Sequence, residues 1–78
     1  MNPKLLEVKG YKFSFYSDEH EPPHVHVKKS GCEAVFEIEP IKLRRNFGFS
    51  DKQLRDIEKM IKVYQSDFLG KWHEYFST

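Results

Sequence analysis

A chain of 78 residues with a formal net charge of +1 makes one small domain, and one this short buries only a modest share of its unfolded surface, so its margin of stability is thin. Thirteen Lys and Arg against twelve Asp and Glu argue against a dedicated DNA-coating protein, which is usually more basic. The single cysteine, Cys32, excludes an intrachain disulfide and a cysteine-based zinc finger, which leaves seven Phe, four Tyr and one Trp to build the core.

No signal peptide and no apolar run of membrane-spanning length is legible, so a soluble cytoplasmic protein is the expectation. Residues 1–9 read as an N-terminal tail on which Leu5, Leu6 and Val8 offer apolar docking points. Gly10 opens the regular structure. From Tyr11 to Tyr16 the chain alternates, Tyr11, Phe13 and Phe15 on one face and Lys12, Ser14 and Tyr16 on the other, which is the pattern of a half-buried strand. Ser17 to Pro23 is a polar loop with three carboxylates and His20, and Pro22-Pro23 stiffens its end. His24 to Lys28 alternates again, with Val25 and Val27 opposed to His24, His26 and Lys28. Lys29-Ser30-Gly31-Cys32 predicts a tight hairpin turn. A further strand runs from Cys32 to Ile38, Pro40 interrupts, and Ile41 to Arg45 reads as a fourth, weaker strand.

The hairpin sets a register. With Ser30 and Gly31 as the loop, Val27 faces Ala34 and Val25 faces Phe36, an apolar set. Lys28 then faces Glu33, His26 faces Val35 and His24 faces Glu37, a mostly polar set. A one-residue slip would mix the faces. Extending the pattern to the first strand sets Ser14 opposite His26 and Tyr16 opposite His24.

A helix follows over residues 50–76. Ser50 and Gln53 form a capping box, Phe49 is placed to staple onto Leu54, and Asp51 suits the helix dipole. Leu54, Ile57, Ile61, Tyr64, Phe68 and Trp72 recur at three and four, one apolar stripe that runs past a weak spot at Gly70. The expected fold is α+β: a small antiparallel sheet of three to four strands over residues 10–46, with one long C-terminal helix packed on one face. Phe36 is expected in the core, and the histidines lie on the open face.

The segments Gly10-Tyr11-Lys12-Phe13, Glu19-His20-Glu21-Pro22-Pro23-His24-Val25-His26-Val27, Asn46-Phe47-Gly48-Phe49-Ser50 and Trp72-His73-Glu74-Tyr75-Phe76 resemble, in order and over nearly the whole chain, a small bacterial family known as domain of unknown function 4160. The resemblance implies a compact α+β domain with no established activity. It also implies kinship with proteins encoded in gene pairs like those of toxin–antitoxin modules. A fold-level likeness supplies no mechanism.

His24 and His26, two apart on a strand, project from one face. Three readings stay open. In the first, the side chains are exposed residues that make cross-strand hydrogen bonds with Glu37 and Tyr16. In the second, they hold a metal such as zinc, with His20, His24, His26 and Glu37 as ligands or outer partners. In the third, they move protons, with His24 and His26 as acid and base, Lys28 as the cation for a phosphate and Tyr16 beside them. Lys42, Arg44 and Arg45 form a basic cluster, read either as a charged edge strand or as a contact for a nucleic-acid backbone or an acidic partner. Cys32 reads as a small filler, Asp18, Glu19 and Glu21 as loop solvation, and Trp72 and Tyr75 as helix core or a dimer contact.

Three functions from different classes follow. The first is a binding or regulatory module in a toxin–antitoxin-like pair, assembled as a homodimer or with a neighbour-encoded protein, nucleic acid being a weaker candidate. The second is a small nuclease-like enzyme using acid–base or metal-assisted hydrolysis. The third is a metal-binding protein with no catalysis.

Overall fold

The computed structural model describes residues 4–16 and 21–76. Within them five strands precede one helix: β1 (Lys4–Val8), β2 (Tyr11–Ser14), β3 (His24–Lys29), β4 (Cys32–Ile38), β5 (Ile41–Phe47) and α1 (Asp51–Phe76). The strands form one antiparallel meander in chain order. The expected α+β class holds, but the sheet has five strands rather than three to four. The added strand is β1, in residues expected to form a tail. Lys9 and Gly10 both take positive φ (52° and 83°), as do Ser30 and Gly31 (50° and 82°). That is the geometry of the two-residue hairpin turn whose twist matches the flanking strands. The first turn lays Leu6 beside Phe13 and Val8 beside Tyr11.

The β3–β4 register is the one the alternation demands: Val25 with Phe36, Val27 with Ala34, His26 with Val35, His24 with Glu37 and Lys28 with Glu33. Ser14 pairs with His26 as expected. β5 continues two residues past Arg45, and its pairing with β4 shifts between Val35 and Phe36, so that Val35 meets Arg45 while Phe36 meets Leu43. Arg44 is the extra residue of this bulge.

One sheet face is the core. Phe13, Phe15, Val25, Val27, Ala34, Phe36 and Ile38 are buried there, and α1 closes over them with Ile57, Ile61, Phe68 and Trp72. Each of these side chains other than Ala34 contributes about 1.5–3 kcal/mol by leaving water. The aromatic contacts are specific, with Phe13 5.6 Å from Phe68 and Phe15 edge-on to Trp72 at 5.1 Å. The helix starts as its capping box predicts: Gln53 N donates to Ser50 Oγ at 3.1 Å and Ser50 N to Gln53 Oε1 at 2.9 Å. Asn46 fixes the entry, donating to the Phe49 carbonyl and accepting from Phe49 N. The helix continues through Gly70. Gln65 Nε2 donates to the Ile38 carbonyl at 2.7 Å, which ties mid-helix to the end of β4. Among the described residues no helix is long and apolar enough to cross a membrane.

Candidate functional site

Strand pairing defines what shares the face away from the core. Ser14, His26, Val35 and Arg45 lie in one row across β2–β5, and Lys12, Lys28, Glu33 and Phe47 lie in the next. His24, Glu37 and Lys42 form a third. The histidines are therefore on the expected face, but they are not exposed: His24 is 3% and His26 7% accessible. Neighbouring rings cover them. β2 ends at Ser14, so Tyr16 never becomes the ladder partner of His24. Released from the ladder, its ring lies flat on His26, with centroids 3.6 Å apart and planes within 4°. His24, at the first position of β3, meets the end of α1, 5.2 Å from the Trp72 ring and 5.7 Å from His26.

Glu33 is the polar centre of this group. The Tyr16 hydroxyl donates to its Oε2 at 2.8 Å, and His26 Nδ1 lies 3.2 Å from the same atom. A carboxylate only accepts, so Nδ1 is the protonated nitrogen. Burial pushes the Glu33 pKa up, but the Tyr16 and His26 hydrogen bonds and the Lys28 charge outweigh it and hold the carboxyl below its ordinary value. Burial, reinforced by Glu33, raises the Tyr16 pKa against the opposing pull of Lys28. The Lys28 ammonium lies 5.4 Å from the Tyr16 ring centroid. The Tyr16 hydroxyl first, then the Glu33 charge, raise the Lys28 pKa. Tyr16, His26 and Lys28, grouped from sequence, are thus brought together through Glu33. That residue was legible only as the partner of Lys28, because its contact with His26 is diagonal rather than direct.

His24 is held differently. Its Nδ1 is 2.8 Å from the Pro22 carbonyl oxygen, so that nitrogen is the donor. Trp72 Nε1 donates to Glu21 Oε1 at 3.1 Å, which fastens the loop before β3 to the helix. Glu37 is the ladder partner of His24, as expected, yet its carboxylate approaches Arg44 Nε at 3.8 Å. Among the described residues no three His, Cys, Asp or Glu side chains are grouped to hold a metal ion. His20, the fourth member of the expected ligand set, lies outside the described residues, as do Asp18 and Glu19.

The β5 bulge supplies what sequence periodicity missed. It places consecutive arginines, Arg44 and Arg45, with His24, His26 and Val35 around a cleft of about 170 Å³. Larger surface clefts, of about 600 and 730 Å³, lie at the β-turns and along the outer flank of α1, and neither holds a histidine. Chemically, the small cleft offers guanidinium donors to an anion. His26, with one nitrogen fixed by a carboxylate, has the arrangement used to orient an imidazole for proton transfer.

A family model described as domain of unknown function DUF4160 matches residues 10–73. The chain belongs to this family. The DUF4160 match runs from the first residue before β2 to near the end of α1, so it contains every residue of the cleft and leaves out β1. No curated protein and no solved structure matches this DUF4160 chain.

Proposed function

We propose that this DUF4160 chain is a small cytoplasmic binding and regulatory module whose working surface is the open face of the sheet, and that it forms half of a toxin–antitoxin-like gene pair. One observation carries the first part of the reading. The face left uncovered by α1 bears a prebuilt polar group, Tyr16–Glu33–His26, beside the His24/Arg44/Arg45 cleft. Polar side chains fixed in advance lose little entropy when a ligand arrives. The gene-pair assignment is supported by the family resemblance. The neighbour-encoded protein, or a second copy of the chain, is assigned to other surfaces: the outer edge of β5, where Leu43 is exposed, or the end of α1, where Tyr75 is exposed.

The test is to express the chain alone and with the product of its neighbouring gene, and to score growth and co-purification. Arg45→Ala and Lys28→Ala on the open face are compared with Lys62→Ala on the exposed side of α1. The open-face variants are expected to abolish the growth effect while melting like the wild type. A growth effect untouched by them would overturn the reading.

A second reading, a nuclease-like enzyme, is favoured by the Glu33-oriented His26 with His24 in the same cleft. It predicts turnover of an RNA substrate that stops in His24→Gln and His26→Gln at matched folded fraction.

A further inference from the structure

Charge on the open face is uneven. Among the described residues of β2–β5, that face carries the cations Lys12, Lys28, Lys42, Arg44 and Arg45 against the carboxylates Glu33 and Glu37. Both carboxylates are engaged, Glu33 by Tyr16 and His26 and Glu37 by Arg44. The whole chain carries only +1, so the excess belongs to this face. Arg45 forms no ion pair among the described residues. Arg44 and Arg45 line one cleft with the buried imidazoles, so an anion seated there meets both guanidinium groups.

We propose that the open face binds the phosphate backbone of a single-stranded nucleic acid, with one phosphate seated in the cleft formed by His24, His26, Arg44 and Arg45. The proposal rests on the open face being the working surface and names its ligand class. Three features select this ligand. Arginine presents a planar fork of donors that matches phosphate oxygens, and two arginines share one cleft. Lys28 and Lys12 stand one row further along the face, placed as point charges for neighbouring phosphates. Phe47 closes that row at the β5 edge with 59% of its surface exposed, a π-face on which a base can stack. Cationic sheet faces that carry exposed aromatics hold single strands in this manner. Duplex DNA is instead read by an element that projects into a groove, whereas this cleft is recessed on the face of a sheet. Five strands about 4.8 Å apart give a face roughly 20 Å wide, room for a few nucleotides.

The experiment is fluorescence anisotropy of a labelled single-stranded RNA of about 12 nucleotides, titrated with the full chain between roughly 50 and 200 mM salt. The same-sequence DNA strand, the annealed duplex and phosphatidylserine vesicles are titrated in parallel. Single strands are expected to bind, more weakly as salt rises. Arg45→Ala is expected to reduce affinity roughly tenfold and to flatten the logarithmic salt slope by about 0.7, one phosphate's share. Lys62→Ala on α1 should change neither. If Arg45→Ala melts early, Arg45→Gln, which keeps most of the side-chain stem, carries the same readout. Absence of binding to either single strand overturns the proposal. So does binding indifferent to Arg45, binding tighter to the duplex, or binding to vesicles alone. Should oligonucleotides fail to bind while open-face variants still abolish the growth effect, the ligand class is wrong and the working surface stands. If both fail, the surface itself is wrong.

Discussion

Deleting the Tyr16 hydroxyl isolates the interaction that holds the open face together. Tyr16→Phe keeps the ring stacked on His26 and removes only the donor that reaches Glu33 Oε2 at 2.8 Å. A hydrogen bond to a charged acceptor is worth about 1.5–3 kcal/mol when well buried, and a neutral one about 1. Both partners here are only part-buried, so about 1 kcal/mol is the expected loss. In a domain of this size that lowers Tm by about 4–8 °C. Glu33→Ala removes the acceptor of both Tyr16 and His26, with an expected loss of about 2 kcal/mol. The double variant should then cost no more than Glu33→Ala, a coupling of about 1 kcal/mol between the two positions. Glu33 also makes the effect depend on pH. Its folded-state pKa lies below the unfolded value of about 4.3. Its stabilisation is therefore complete above the unfolded pKa and disappears as pH falls through the folded one. Thermal melts by circular dichroism from neutral pH downward should show the gap between wild type and Glu33→Ala constant near neutrality and closing only below the ordinary glutamate range. Additive single-variant losses, or a gap that persists unchanged into acid, would refute the network.

Other substitutions probe the frame of the site. Phe36→Ala, at a position 1% exposed in the core, should cost about 3–5 kcal/mol and bring the domain close to unfolding, measured by urea denaturation. Gly48→Ala meets two obstacles, a φ of 101° and a new Cβ 2.9 Å from Cys32 Sγ; a loss of about 1–3 kcal/mol is expected, and adding Cys32→Ala should recover the steric part but not the backbone part. Ser50→Ala breaks the capping box and should cost about 1 kcal/mol, read as a fall in Tm. His24→Ala and His26→Ala should each cost about 2 kcal/mol or more, since both rings are buried against aromatic neighbours; a wild-type Tm in either would mean that the ring is not held as described.

Much of the fold was readable because several local signals agreed. Ser30-Gly31 set the turn, and the alternation of β3 and β4 tolerated only one register, the one observed. The helix was bounded by its capping box and carried by a stripe whose members Ile57, Ile61, Phe68 and Trp72 are all buried. β1 escaped for a physical reason. It is a short edge strand whose apolar residues are only half-buried, so Leu5, Leu6 and Val8 gave no clean alternation. The usable clue was Lys9-Gly10, an X-Gly pair of the same kind as Ser30-Gly31.

The candidate site was legible in position but not in construction. Periodicity assigns a side chain to a face, and it set His24, His26 and Lys28 on the face opposite Val25 and Val27, as their ladder pairing has them. It says nothing about what covers that face. Two departures from regular pairing decide this: β2 ends before Tyr16, which frees the ring to lie over His26, and the bulge at Arg44 puts consecutive arginines beside the histidines. A strictly alternating β5 would have sent one of those arginines to the core side. The same departures divide the site into two kinds of residue. His24 and His26 are buried and support the fold as well as the cleft, so loss of function in their alanine variants mixes stability with chemistry. Lys28 and Arg45 are exposed, so their truncation removes charge while leaving the packing in place. A role for the open face is therefore decided at Arg45 and Lys28, and the histidines become informative only once activity is referred to the folded fraction of each variant.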